Sequence, residues 1–123
     1  MPTLEDYEKH YDDMIGYTPE RVRERIKVGL ELDPELLHQI ETLRLNALTP
    51  DCLDPKTVQL IAFAILLTQR APAAVNHGRA AVKVGATKEQ LHAAVALAFL
   101  FGGIGPLNLG GEAIRDIFDG GKV

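Results

Sequence analysis

The sequence has no tryptophan and a single cysteine, Cys52, in 123 residues. A lone thiol forms no intrachain disulfide, no CxxC redox pair and no cysteine-rich zinc site, so packing alone holds the fold. Basic residues form no stripe. The 13 Lys and Arg are scattered among 17 Asp and Glu, the formal charge is −4 and the pI is near 5.5, which leaves no electrostatic footprint for nucleic acid. A secretory leader is also missing from view: MPTLEDYEKHYDD is acidic and polar where a basic start and an apolar stretch would stand, and the expectation is a cytoplasmic protein. From Gln90 to Gly111 there is no Asp, Glu, Lys or Arg, yet His92, Gly102, Gly103, Gly105, Pro106, Asn108 and Gly110 interrupt the run. Its apolar core is shorter than the roughly 20 residues a membrane span needs, so no membrane partner is expected.

At 46% apolar and 24% charged, the composition is that of an ordinary globular chain, and the length predicts one domain over 1–123 with one core. Helix punctuation is frequent. Thr18, Asp33 and Asp54 each precede a proline, which reads as a side-chain N-cap followed by Pro at the first helical position. Thr87 with Gln90 reads as a capping box, and Gly85 suits the left-handed residue that ends the helix before it. Strand-like alternation, repeats and low-complexity tracts are all missing. The expected architecture is all-α, one helical domain of about seven helices near 4–14, 20–31, 34–47, 55–69, 72–84, 88–102 and 106–119.

Apolar spacing agrees with these boundaries. Leu4, Tyr7, Tyr11, Met14 and Ile15 share one face, as do Val22, Ile26 and Leu30, then Leu36, Ile40, Leu43 and Ala47. The charged run Glu20 to Lys27 reads as a solvated face. In 55–69 and 88–102 the apolar residues cover every side of the helix, more than three amphipathic neighbours can shield, and the expected remedy is a homo-oligomer.

Among residues able to carry chemistry, His77 shares a helical face with Ala73, Ala74, Ala80 and Ala81, away from Asn76, Arg79 and Lys83. Burial among small side chains disfavours the charged imidazole and suits a general acid or base near neutral pH. The alternative is a core histidine satisfied by a backbone carbonyl or a water. The glycines from Gly102 to Gly111 lack the strand of a dinucleotide fingerprint and the Lys-Ser/Thr of a P-loop. They read as a helix break, a helix start at Pro106 and a close helix approach, with ligand binding as the alternative. His10 with Asp13 is an isolated i, i+3 pair on a solvated face, so no metal is assigned. Cys52 reads as a half-buried filler.

The pieces LDPKT, HGRAAVKVGATKEQL and the Gly-Gly turn after an apolar helix make the stretch Leu53 to Asn108 resemble the carboxymuconolactone decarboxylase and alkylhydroperoxidase D-like superfamily. The resemblance implies an all-α fold, a trimer or hexamer, and an active site around the histidine that matches His77. The peroxidase branch places a CxxC pair seven and four residues before that histidine, where this chain has Arg70 and Ala73, so thiol-based peroxide reduction is excluded. Its acidic relay residue has Gln59 as nearest match, one residue out of register, and an amide orients a substrate or water without accepting a proton. What remains resembles the decarboxylase branch, whose chemistry needs no cofactor or metal. The implied function is a lyase or isomerase acting on a small carboxylated lactone or cyclic acid. His77 is its catalytic acid/base, and Arg70 and Gln59 are substrate-binding candidates. Arg70 read alone is equally an exposed helix-end arginine, and the whole chain is alternatively a non-catalytic small-molecule-binding relative.

Overall fold

A computed structural model describes residues 2–120 as seven α-helices, with no strand among the described residues. The all-α expectation and the number of helices both hold. The chain divides after Cys52 into two compact units.

The first unit contains α1 (Leu4–Ile15), α2 (Glu20–Leu32) and α3 (Pro34–Leu48). α1 opens on a capping box between Thr3 and Asp6 that the sequence reading missed, and the Thr3 backbone N–H holds the Asp6 carboxyl below its ordinary pKa. Asp33 caps α3 as expected, its Oδ1 accepting from the Leu36 N–H at 3.1 Å with Pro34 at the first helical position. Thr18 is not the cap of α2. The helix starts at Glu20 without a side-chain cap, and the buried Thr18 hydroxyl instead donates to Asp12 Oδ1 at 2.9 Å and to the Glu8 carbonyl at 3.2 Å. A hydroxyl shut away from water needs a partner, and the end of α1 supplies two.

Two tyrosines of α1 set the rotation of α3. Tyr11 donates to Glu41 Oε1 at 2.7 Å, Arg25 Nη2 donates to the Tyr11 hydroxyl oxygen at 3.0 Å, and the Arg44 guanidinium lies 4.3 Å above the Tyr11 ring. Tyr7 pairs with His38 Nδ1 at 3.0 Å. Glu41 is 7% exposed, and leaving its charge unpaired there would cost several kcal/mol, about 3–5 for a broken buried pair. Leu37 and Glu41 are therefore the buried residues of α3, while Leu36, Ile40 and Leu43 are 50%, 47% and 71% exposed. This corrects the apolar face expected at Leu36, Ile40, Leu43 and Ala47: the polar partners of the tyrosines, not the leucines, choose the inward side. The Glu20–Lys27 run is likewise more than a solvated face, since Arg23 reaches Glu8 at 2.6 Å and Arg25 reaches Tyr11 and Glu41.

The second unit contains α4 (Pro55–Thr68), α5 (Ala74–Lys83), α6 (Lys88–Gly102) and α7 (Ile104–Phe118). Asp54 caps α4 with a 2.8 Å bond from the Thr57 N–H, which lowers the Asp54 pKa, and Thr87 and Gln90 form the expected capping box on α6. Gly85 and Gly103 adopt φ of 104° and 91°, left-handed values that end α5 and α6. α7 begins at Ile104, before the expected start at Pro106, and Pro106 occupies its first turn, where no N–H is needed. Phe63, Leu67, Leu91 and Val95 fill the core beside Ala74, Ala81, Ala98 and Ala113. Each fully buried large side chain contributes about 1.5–3 kcal/mol. α4 and α6 keep an apolar outer side: Ile61, Ile65, Leu97, Leu100 and Phe101 are exposed. Among the described residues no helix is long and apolar enough to cross a membrane.

α7 meets α6 at Gly110, where a Cβ would stand 2.6 Å from the Val95 methyls, whereas a Cβ on Gly111 meets nothing within 4 Å. Gly110→Ala is expected to lower unfolding stability by about 1–3 kcal/mol through overpacking, and Gly111→Ala to leave it unchanged or raise it by up to about 1 kcal/mol. Urea unfolding of the two variants checks the contrast. Tyr11 supplies a pH test. Burial first, and the Glu41 carboxylate second, push its pKa up to about 12 from 10. A raised folded-state pKa adds stability that is complete below the unfolded value and lost as pH rises through the folded one. Stability should therefore fall between about pH 10 and 12, and Tyr11→Phe should flatten that part of the curve in denaturant titrations at stepped pH.

Candidate active site

Gly78 places the histidine-bearing helix. A Cβ there would stand 2.7 Å from Ile117 Cδ1 and 3.1 Å from the Phe63 ring, so a hydrogen at this position lets α5 lie against those side chains of α4 and α7 without displacing them. Ala74, Ala80 and Ala81, all buried, keep the rest of that face thin. Arg79 and Asp116 form an ion pair that ties α5 to α7. Neither Gly78 nor this pair stands out in the sequence pattern. A lone glycine inside a helix, with Ala74 and Ala81 one turn to either side, is the signal that could have pointed to a close approach there.

With α5 so placed, His77 Nδ1 lies 2.8 Å from Gln59 Oε1. A carbonyl oxygen only accepts, so Nδ1 carries the proton and the lone pair of the neutral ring sits on Nε2. Gln59 is 4% exposed and His77 is half-buried. The buried amide fixes both the ring's orientation and its tautomer, and being neutral it favours the imidazolium far less than a carboxylate in its place. The one-residue register offset seen in the sequence does not prevent the contact.

Arg70 is not brought to this pair. It lies eleven residues after Gln59, past Thr68 at the end of α4, which is itself about 13 Å along the helix axis from Gln59. Its φ of 55° is unusual for a residue with a side chain. The guanidinium donates through Nη2 to the Gly102 carbonyl at 2.9 Å and through Nη1, more weakly, to the Thr68 carbonyl at 3.4 Å. Arg70 thus braces the last carbonyl of α6, an orphan acceptor at the negative end of that helix. It lies so close to Gly105 that a Cβ there would collide with it.

The remaining candidates fall outside this geometry. Cys52 is exposed, not half-buried as expected. Asp13 pairs with Lys9 at 2.9 Å, and among the described residues no group of three or more His, Cys, Asp or Glu could hold a metal ion. The glycine-rich turn is a packing feature: a Cβ on Gly102 would press on Pro106 at 2.8 Å, as one on Gly110 would on Val95.

The helical fold that carries this pair has its counterpart in known proteins. The profile of the carboxymuconolactone decarboxylase family matches residues 34–109, more than half of the chain, and the chain belongs to that family. A solved structure from Burkholderia xenovorans LB400, of a protein named for carboxymuconolactone decarboxylase, shares the fold with a TM-score of 0.77. It covers 94% of this chain and 89% of that one at 23% sequence identity. No curated protein matches the chain.

Arg70→Ala is expected to lower stability by about 1–2 kcal/mol, the worth of its bond to the Gly102 carbonyl, while leaving the ring nitrogens of His77 untouched. Urea unfolding measures the first and ¹⁵N chemical shifts of the imidazole the second.

Proposed function

We propose that the chain is a cofactor-independent carboxy-lyase or isomerase acting on a small carboxylated lactone or cyclic acid, with His77 as its general acid/base. The 2.8 Å contact between His77 Nδ1 and Gln59 Oε1 carries this reading, because it holds a titratable ring in one orientation and one neutral tautomer. In the lyase form, the bond between the ring carbon and its carboxylate breaks, carbon dioxide leaves, and the electron pair passes into a conjugated enolate. The imidazolium then delivers the Nε2 proton to carbon. The neutral ring left behind carries its proton on Nδ1, the tautomer that the Gln59 carbonyl stabilises. Gln59 is therefore a positioning residue and not a substrate ligand. Arg70 becomes a carboxylate ligand only if it lets go of the Gly102 carbonyl.

The family match runs from 34 to 109, through both compact units, which supports taking 1–123 as one functional domain. The exposed apolar sides of α4 and α6 support a homo-oligomer, with a trimer or hexamer as the form implied by the resemblance. Light scattering on a dilute sample should give a multiple of the chain mass; a stable mass near 13.4 kDa ends that part of the reading.

A neutral amide in place of an acid also favours a second reading, a small-molecule-binding relative without catalysis. A panel of carboxylated lactones and cyclic acids separates the two. His77→Gln should cut turnover by about 10²–10⁴-fold with the fold retained, the usual share of general acid–base catalysis. A loss of about 1–3 kcal/mol in stability with turnover per folded molecule unchanged would assign His77 to the core instead. Gln59→Glu puts a carboxylate beside the ring and should move the His77 titration upward by about one pH unit or more, read by NMR without any substrate.

A further inference from the structure

We propose that the groove between α2 and α3 binds a linear anionic amphiphile, of which a medium-chain alkyl carboxylate is the simplest member. The groove lies wholly in the first unit and stands apart from the His77 chemistry.

It exists because the tyrosine network turns α3. With Leu37 and Glu41 drawn inward, the aliphatic row of α3 is left facing that of α2, and Val28, Leu32, Leu36 and Ile40 line a cavity of about 500 Å³. That volume falls within the range of small-ligand sites, about 300–1,000 Å³. No aromatic ring lines it, so it offers a flexible chain contact along its length and a planar ring nothing to stack on.

The ends of the groove differ in charge. Arg25 and Arg44 both line it, and both lie against the buried Tyr11. Glu41 compensates one of them, through Arg25 at 3.4 Å. Arg44 rests on the Tyr11 ring, and among the described residues no carboxylate pairs with it. One positive charge is left over beside the apolar row, on the side chain whose planar fork best matches a carboxylate. Asp33 lines the groove too, but its Oδ1 is engaged as the N-cap of α3. An anionic head is drawn to Arg44 and repelled from Asp33, so charge sets the direction in which the chain lies.

The test uses the full chain with decanoate, decanol and decylamine, each below its aggregation limit, in titration calorimetry and in methyl NMR. Decanoate should bind at least about tenfold more tightly than decanol, the difference made by one charge-assisted hydrogen bond, with decylamine weakest. Shifts should centre on the methyls of Val28, Leu32, Leu36 and Ile40. Arg44→Gln should bring decanoate down to the affinity of decanol. Equal binding of decanoate and decanol by the unaltered chain, or shifts centred elsewhere, overturns the proposal, and this arm needs no variant to fold. So does a groove that takes up no amphiphile while Ile40→Asp splits a multimer seen by light scattering, because a second copy of the chain is then its occupant.

Discussion

Where a helix presents hydrogen in place of a side chain, a neighbour's side chain can press against its backbone, and the second unit uses that freedom at two points. Gly110 lets α7 lie on Val95, and Gly78 lets α5 lie between Phe63 and Ile117. The second approach has a chemical result. It carries His77 to within hydrogen-bond reach of an amide on another helix, a contact whose length tolerates little error. Packing and the placement of the imidazole are thus one problem here, since the same close approach of α5 sets both.

The same economy of small residues explains the double-sided helices. α4 and α6 give one face to the core through Phe63, Leu67, Leu91 and Val95, and keep Ile65, Leu97 and Leu100 on the other. Alanines and glycines make the interior thin, so large side chains remain outside that a thicker core would have absorbed. In the first unit the order is reversed. Polar groups claim the interior of α3, through Tyr11, Glu41 and Arg25, and the aliphatic row is what remains at the surface. One chain therefore reaches an exposed apolar face by two opposite routes.

These routes explain how much was legible beforehand. Helix ends were, because Asp33, Asp54, Thr87 and Gly85 act on backbone groups within a few residues, and local chemistry is visible in local sequence. The rotation of α3 was not, since it follows from hydroxyls thirty residues away on α1. Thr18 was misread for a related reason: its local role as a cap lost to carbonyl and carboxylate partners on the preceding helix. His77 stood out by its surroundings and Gln59 by the family pattern. Their pairing could not be seen, because it spans the turn between two helices and depends on a glycine with no chemistry of its own. Arg70 entered as a substrate-binding candidate through the resemblance, and the end of α4 carries it to the Gly102 carbonyl.

The pairing of His77 with an amide has a consequence for the conditions under which the site keeps its shape. An imidazole held by a carboxylate is held partly by charge, and dissolved ions weaken such an attraction over distances of about 8–10 Å at ordinary ionic strength. The bond between His77 Nδ1 and Gln59 Oε1 joins two neutral dipoles, and one of them is almost wholly shielded from solvent. While the ring is neutral, that bond gives salt little to screen, and its hold on the ring's orientation is expected to change little from dilute buffer to brine.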